Sequence, residues 1–222
     1  GQDDHLKGKL LQKEVWGCTV LSVPCALQLF SREVTTWDDT HPYTGVHFEF
    51  VSQVDSYIYD GDSSFKQTRQ NFTYDDYGNL ASTTESGDVS VSGDERKTIN
   101  TYIYNPSSYI LNTLSKTSLY GPDFSTLSAE RYFYYDGAAS IATAPTVGLL
   151  TKEEEWLSMA SGCGTAGTCA NNPKTTMTYN SYGNVTTVTD ARSYTTTNTY
   201  ETTYHLFLTQ ISNALSQTRS FT

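Results

Sequence analysis

The four cysteines are the first residues of this chain that could carry chemistry, and they fall into two local pairs. Cys18 lies near Cys25, and Cys163 and Cys169 enclose a loop of Gly, Thr and Ala. A zinc site would need ligands about two to four residues apart or a nearby His, so no metal and no cofactor is expected. The alternative is a disulfide within each pair, which would constrain the unfolded chain. Disulfides would indicate an oxidising, extracellular destination.

Histidines and carboxylates are the other candidates for catalysis. The chain contains neither His-Glu-x-x-His nor Gly-x-Ser-x-Gly, and no His stands near a recognisable nucleophile. Structural roles are therefore expected for the four histidines, His5, His41, His47 and His205. The run 153–155 has the Glu-x-Glu spacing of ADP-ribosyltransferases, but a solvated strand edge that discourages sheet pairing is the preferred interpretation. Three carboxylates that each follow a Tyr are expected to cap turns: Asp60, Asp75 and Asp136. The sequence thus predicts no catalytic residue and no enzyme.

One seven-residue phrase occurs twice and divides strand-like runs. The copies are Tyr74-Asp75-Asp76-Tyr77-Gly78-Asn79-Leu80 and Tyr179-Asn180-Ser181-Tyr182-Gly183-Asn184-Val185. In each copy the Tyr would close a strand, the Asp or Asn would cap a turn, and the Gly would take the positive φ that short hairpin loops need. Each copy therefore predicts a β-hairpin.

Half of this phrase recurs more often. A large apolar residue, any residue, then Tyr and Asp or Asn is found at 57–60, 72–75, 102–105, 133–136 and 177–180. Residues two apart in a strand share a face, so each copy would place two large side chains together before a turn, where they can stack on a neighbouring hairpin. We expect an array of hairpins with neighbouring Tyr-Asp turns on a common edge.

The strands of this array are polar on both faces. The run 195–204 is almost entirely Thr and Tyr, and only 37% of all residues are hydrophobic. Such a sheet cannot bury a whole face against a hydrophobic core, so cross-strand Thr and Tyr pairs should stabilise it laterally. Loops are expected at 38–45 and 86–93, a strand at 149–156 and a continuous strand at 195–204. This pattern favours an all-β, curled or spiralling sheet over a sandwich.

Charge and hydropathy exclude some partners. A net charge of −10 argues against nucleic acid and against an anionic membrane surface. No apolar run approaches the roughly 18 residues of a membrane span, so direct membrane insertion is not expected. The polar start at residues 1–5 lacks the features of a signal peptide, which suggests a piece of a longer protein.

The phrase Tyr-Asp-x-x-Gly-Asn-Leu followed by Thr-rich strands resembles the YD repeat of the rearrangement-hot-spot (RHS) proteins. Together with 6–14, it is also similar to the shell region of B-type subunits of bacterial insecticidal toxin complexes. The repeat array would cover 67–222, and 1–66 would add loosely repeat-like strands to the same sheet. The resemblance implies an arc of a hollow shell, partnered by the remaining repeats of the same protein and by an enclosed toxic polypeptide. It also implies a secreted or cell-surface bacterial protein.

Two functional interpretations follow, and enzyme activity is a weaker third. The first is a structural segment of a β shell that encloses and protects a toxic polypeptide before delivery. The alternative is an extracellular binding module that recognises glycan or protein through exposed rows of Tyr. RHS proteins typically cleave themselves at a motif that contains Asp-Pro, and this dipeptide does not occur in the chain. That activity is therefore not assigned to it.

Overall fold

A computed structural model of the chain describes residues 6–18, 27–61, 63–157, 169 and 171–221. These residues form β-strands joined by turns, and a 3-10 turn at Pro106–Ser108 lies between two strands. No helix in this part of the chain is long and apolar enough to cross a membrane. The strands are β1 (Gln12–Cys18), β2 (Leu27–Tyr43), β3 (Val46–Tyr59), β4 (Phe65–Tyr74), β5 (Leu80–Asp88), β6 (Arg96–Asn105), β7 (Ile110–Tyr120), β8 (Leu127–Tyr135), β9 (Leu150–Glu155), β10 (Lys174–Tyr179), β11 (Val185–Thr189), β12 (Thr195–Tyr200), β13 (Leu208–Ser212) and β14 (Thr218–Ser220).

The strands follow one another in the sheet in chain order, from β1 to β14. Antiparallel ladders join β1 through β6 in sequence and β8 through β14 in sequence. The predicted all-β array of antiparallel hairpins is therefore confirmed. The chain divides into two compact units, Gly1–Ile99 with Leu119–Ser128, and Asn100–Ser118 with Ala129–Thr222.

The interior of the sheet is polar. Among the described residues the buried hydrophobic side chains are Tyr132 and Tyr134, whereas seven polar or charged residues are buried. Every residue of β5, β11 and β13 is half-buried, on both faces of the pleat. The predicted two-sided, partly wet sheet is confirmed.

Cross-strand hydroxyl pairs hold this sheet laterally, as the Thr-rich sequence predicts. The Oγ1 atom of Thr178 lies 2.8 Å from that of Thr186 and 2.6 Å from that of Thr187. The same pairing joins Thr189 to Thr195 at 2.8 Å. Because each hydroxyl both donates and accepts, such pairs stabilise neighbouring strands without an apolar layer.

The expected loop at 38–45 is wrong. β2 continues to Tyr43, and the reversal occurs at Thr44 and Gly45, where Gly45 has φ 77°. A bulge between Thr40 and Tyr43 takes up His41 and Pro42, so the ladder with β3 survives turn-forming residues. A proline is tolerated at a bulge because its missing N–H is not needed there.

Other boundaries also differ from the predictions. β12 ends at Tyr200 and a turn occupies 201–207, although the sequence predicts strand as far as 204. β5 extends to Asp88, into the segment predicted as a polar link. The prediction of a strand at 149–156 is confirmed by β9, despite its helix-favouring Lys and Glu residues. Pairing with β8 and β10 outweighs local helix propensity there.

Candidate functional site

The turn between β4 and β5 shows how the repeated phrase folds. The amide of Asp75 donates to the carbonyl of Asn79 at 3.0 Å, and the amide of Gly78 donates to the carbonyl of Asp75 at 3.0 Å. The Asp75 carboxylate accepts the amides of Tyr77 and Asn79, both at 2.9 Å. We call this arrangement the five-residue turn. Gly78 has φ 84°, which confirms the predicted positive φ.

The five-residue turn recurs three times in the second unit. Asn180 accepts the amides of Tyr182 and Asn184 at 3.0 Å, and Gly183 has φ 83°. The same amide and carbonyl bonds close the turns at 190–194 and 213–217, which are capped by an Asp and an Asn. Their positive-φ residues are Ser193 (φ 67°) and Ser216 (φ 60°). The sequence prediction missed both, because a Ser stands where the repeated phrase has Gly.

In two larger turns a carboxylate likewise accepts backbone amides, and the loop is longer. Between β8 and β9 the Asp136 carboxylate accepts the four successive amides of residues 146–149 at 2.7 to 3.0 Å. Burial raises the pKa of Asp136, but these amide bonds outweigh it and lower the pKa to about 2. Between β12 and β13 the side chain of Glu201 accepts the amides of Tyr204 and Leu206. A single carboxylate thus organises each loop.

A Tyr hydroxyl connects successive hairpins of the second unit. Tyr179 donates to the carbonyl of Leu150 at 2.6 Å, and Tyr200 donates to the carbonyl of Val185 at 3.1 Å. In both cases the acceptor is the first residue of the preceding return strand. Burial raises the pKa of Tyr179, and the charge of Glu153 adds to the shift, so this hydroxyl remains a donor. Each repeat is thereby bonded to the one before it.

Aromatic stacking joins two neighbouring turns on one edge of the second unit. The ring of Tyr182 stacks on that of His205 at 4.0 Å with 11° between the planes. The side-chain amide of Asn184 donates to the carbonyl of His205. Turns 180–184 and 201–207 therefore lie side by side, although the sequence predicts strand as far as 204. Tyr204 and Phe207 on the second turn are 71% and 64% exposed.

The Glu-x-Glu run does not lie on a solvated edge. β9 is paired on both sides, and Glu154 is only 2% exposed. Its carboxylate accepts the Asn172 side-chain amide at 2.9 Å and the Tyr134 hydroxyl at 3.3 Å. Burial, followed by the charge and hydrogen bond of Glu154, raises the pKa of Tyr134 to about 12. The expectation of an edge was wrong because the sequence does not reveal which strands flank this run.

A second buried carboxylate lies nearby on β8. Glu130 accepts the Ser118 hydroxyl at 2.6 Å and the Tyr132 hydroxyl, and it pairs with Lys116 at 3.2 Å. Glu130 is only 7% exposed, and these three partners compensate for the burial of its charge. Both glutamates are buried and hydrogen-bonded, as charged groups in a polar core must be.

The first unit has an equivalent polar cluster. Asp55 is 6% exposed and accepts bonds from Gln53, Gln67 and Arg69 at 2.6 to 2.8 Å. Burial raises the pKa of Asp55, but the bonds from Arg69 and the two amides outweigh it, and the net shift is downward. Each unit therefore contains a buried carboxylate whose oxygens accept several hydrogen bonds.

The predicted cysteine pairs extend beyond the described part of the chain. Cys18 and Cys169 are each in a disulfide. Cys25 and Cys163 lie outside the described residues, so the pairings Cys18 with Cys25 and Cys163 with Cys169 stay predictions.

No family model matches the chain, and no curated protein has a detectably similar sequence. Solved structures are similar in fold. The pore of the Photorhabdus luminescens Tc holotoxin matches with a TM-score of 0.56 and 12% identity over 94% of this chain. A TcdB2-TccC3 structure without its hypervariable C-terminal region matches with a TM-score of 0.58 and 12% identity over 98%. A further TcdB2-TccC3 structure gives 0.55 and 14% over 98%.

The chain spans only 15% to 16% of the length of those toxin chains. At this level of identity the likeness concerns the fold, and it extends across nearly all of the chain. The toxin-complex resemblance that the repeated phrase indicates is thus confirmed in three dimensions: the chain has the fold of a segment of the TcdB2-TccC3 toxin chains.

Proposed function

We propose that this chain is a structural segment of an RHS-repeat shell that encloses and protects a toxic polypeptide before delivery. The observation that carries the proposal is the fold match to TcdB2-TccC3 chains over 98% of the chain. Its partners would be further repeats of the same protein and the enclosed polypeptide, and the complex would act outside the producing bacterium.

The character of the sheet supports this proposal. A wall that surrounds an unrelated polypeptide must be stable without an apolar layer on its inner face, because exposed apolar area would bind the cargo tightly. Here the stabilising contacts run along the sheet, through Thr pairs, Tyr hydroxyls and capped turns. The net charge of −10 also keeps such a surface soluble.

The test is protease protection of the cargo. The full-length protein that contains this segment is produced together with its toxic polypeptide, and the complex is treated with a broad-specificity protease. We expect the cargo to survive much longer than the free polypeptide. The matched control is cargo added after the other protein has folded, which should be digested at the free rate. Equal digestion of co-produced and free cargo would reject enclosure.

A binding module is the second candidate, and one observation favours it. Tyr182, Tyr204 and Phe207 project from neighbouring turns and are 63%, 71% and 64% exposed. Aromatic rings presented on a rigid edge suit glycan or protein recognition. Binding to a glycan array that is lost on Tyr204→Ala, combined with unprotected cargo, would favour this function over the shell.

A further inference from the structure

Three potential metal ligands meet near the end of the β2–β3 hairpin. Asp39 is opposite Glu49 in the ladder, and His47 lies two residues before Glu49 in β3, on the same face. His41 belongs to the bulge between Thr40 and Tyr43. One Asp39 oxygen, Oδ2, lies 2.9 Å from His47 Nδ1 and 3.5 Å from His41 Nε2. The strand register thus places Asp39 beside His47, and the bulge adds His41 to this pair.

These distances suit coordination. Ligand atoms bound tetrahedrally to zinc, with bonds of about 2.1 Å, are separated from one another by roughly 3.4 Å. The ligand atoms of Asp39, His41 and His47 all lie within 4.8 Å of one another. The two imidazole rings are 4.2 Å apart at 68°, so they meet edge to face instead of stacking flat. Small side-chain rotations would place all three ligands on one ion.

The surroundings leave the cluster open on one side. The side chains of His41 and His47 are 56% and 47% exposed, whereas Asp39 is 14% exposed. Glu49, the next acidic residue on this face, is paired with Lys9 at 3.0 Å. An ion held here would thus have three protein ligands and would complete its coordination with water. Two imidazoles and one carboxylate suit zinc and its transition-metal neighbours better than magnesium or calcium.

We propose that Asp39, His41 and His47 form a binding site for a divalent transition-metal ion, with zinc as the expected occupant. A bound ion would link β2 to β3 near the end of their hairpin and would reinforce a segment that carries a bulge and a proline. Metal sites of this kind couple binding to the folding of the residues that hold them. The proposal does not depend on the proposed shell function.

The proposal is tested by isothermal titration calorimetry. The 222-residue chain is produced without a histidine tag and freed of metal by chelation, and zinc chloride is titrated into it. We expect one ion per chain. His41→Ala and His47→Ala should each weaken binding by more than about 10-fold, since even losing an outer-shell partner of a metal typically costs roughly 10–100-fold. His205→Ala is the matched control, because His205 stacks on Tyr182 far along the sequence, and it should bind as the unchanged chain does.

Cobalt provides a second readout. Substitution with Co²⁺ should give visible absorption bands that His47→Ala removes. Both histidines are about half exposed, so the alanine variants should fold, and far-UV circular dichroism checks this. His47→Gln, which keeps a polar side chain, should also lose the site. No zinc binding by the unchanged chain, or equal binding by His41→Ala and the unchanged chain, would overturn the proposal.

Discussion

Replacing Gly78 with Ala should destabilise its hairpin more than the same change at Gly183. Both glycines occupy the positive-φ position of a five-residue turn, at 84° and 83°. A left-handed conformation costs a non-glycine residue about 1–2 kcal/mol, and Ala recovers about 0.4–1 kcal/mol by restricting the unfolded chain. A Cβ at Gly183 would meet no atom within 4 Å. We therefore expect a net loss of about 0.5–1.5 kcal/mol for Gly183→Ala.

The surroundings of Gly78 add a steric cost. A Cβ there would lie 3.2 Å from Cε2 and 3.3 Å from Cζ of Phe48, so that ring must shift. The ring is held by Phe50 at 5.3 Å and by Tyr74 at 5.7 Å between centroids. Overpacking typically costs about 1–3 kcal/mol. With a steric cost of about 1–1.5 kcal/mol, the lower part of that range, added to the backbone cost, Gly78→Ala should lose about 1.5–3 kcal/mol in total.

Hydrogen exchange of the turn amides measures both effects locally. The informative amides are those of Gly78 and Gly183, or of the Ala replacing each, since they donate to turn carbonyls at 3.0 and 3.1 Å. Phe48→Ala supplies the control in a double-mutant cycle. In that background the cost of Gly78→Ala should fall to that of Gly183→Ala. Equal costs for the two glycines in the unchanged background would refute the steric argument.

Three further predictions concern hydrogen-bonded side chains. Tyr179→Phe removes the donor to the carbonyl of Leu150 and should lower the free energy of unfolding, measured with urea, by about 0.5–1.5 kcal/mol. The pKa of Asp136 is about 2 when folded and lies below its unfolded value of about 3.9. Its carboxylate therefore contributes stability above pH of about 4 that is lost as the pH falls through about 2, and Asp136→Asn should remove this dependence from an acid titration. Glu154→Ala leaves buried donors without an acceptor and should lower the free energy of unfolding by roughly 1–3 kcal/mol. Glu155→Ala breaks an exposed ion pair and should lower it by less than about 1 kcal/mol in the same urea assay.

The sequence by itself determined the two hairpins of the repeated phrase and their capped turns. Both copies of the repeated phrase fold as predicted, since the Asp or Asn cap and the positive-φ Gly act within five residues of chain. The sequence also predicts that both faces are polar. Side chains alternate between the two faces of a strand, so each Thr or Tyr can be assigned to a face without knowing the neighbouring strands. These are local properties of the chain.

The tertiary structure decided what depends on strand order and register. Glu154 is buried because β9 has a partner on each side, and nothing in its own run of charges indicates this. Ser193 takes the conformation of a turn glycine because flanking strands hold its ends. Asp39 and His47 meet because a hairpin ladder sets them diagonally, and a bulge adds His41. Pairing between strands fixes such contacts, and its register is a property of two segments together.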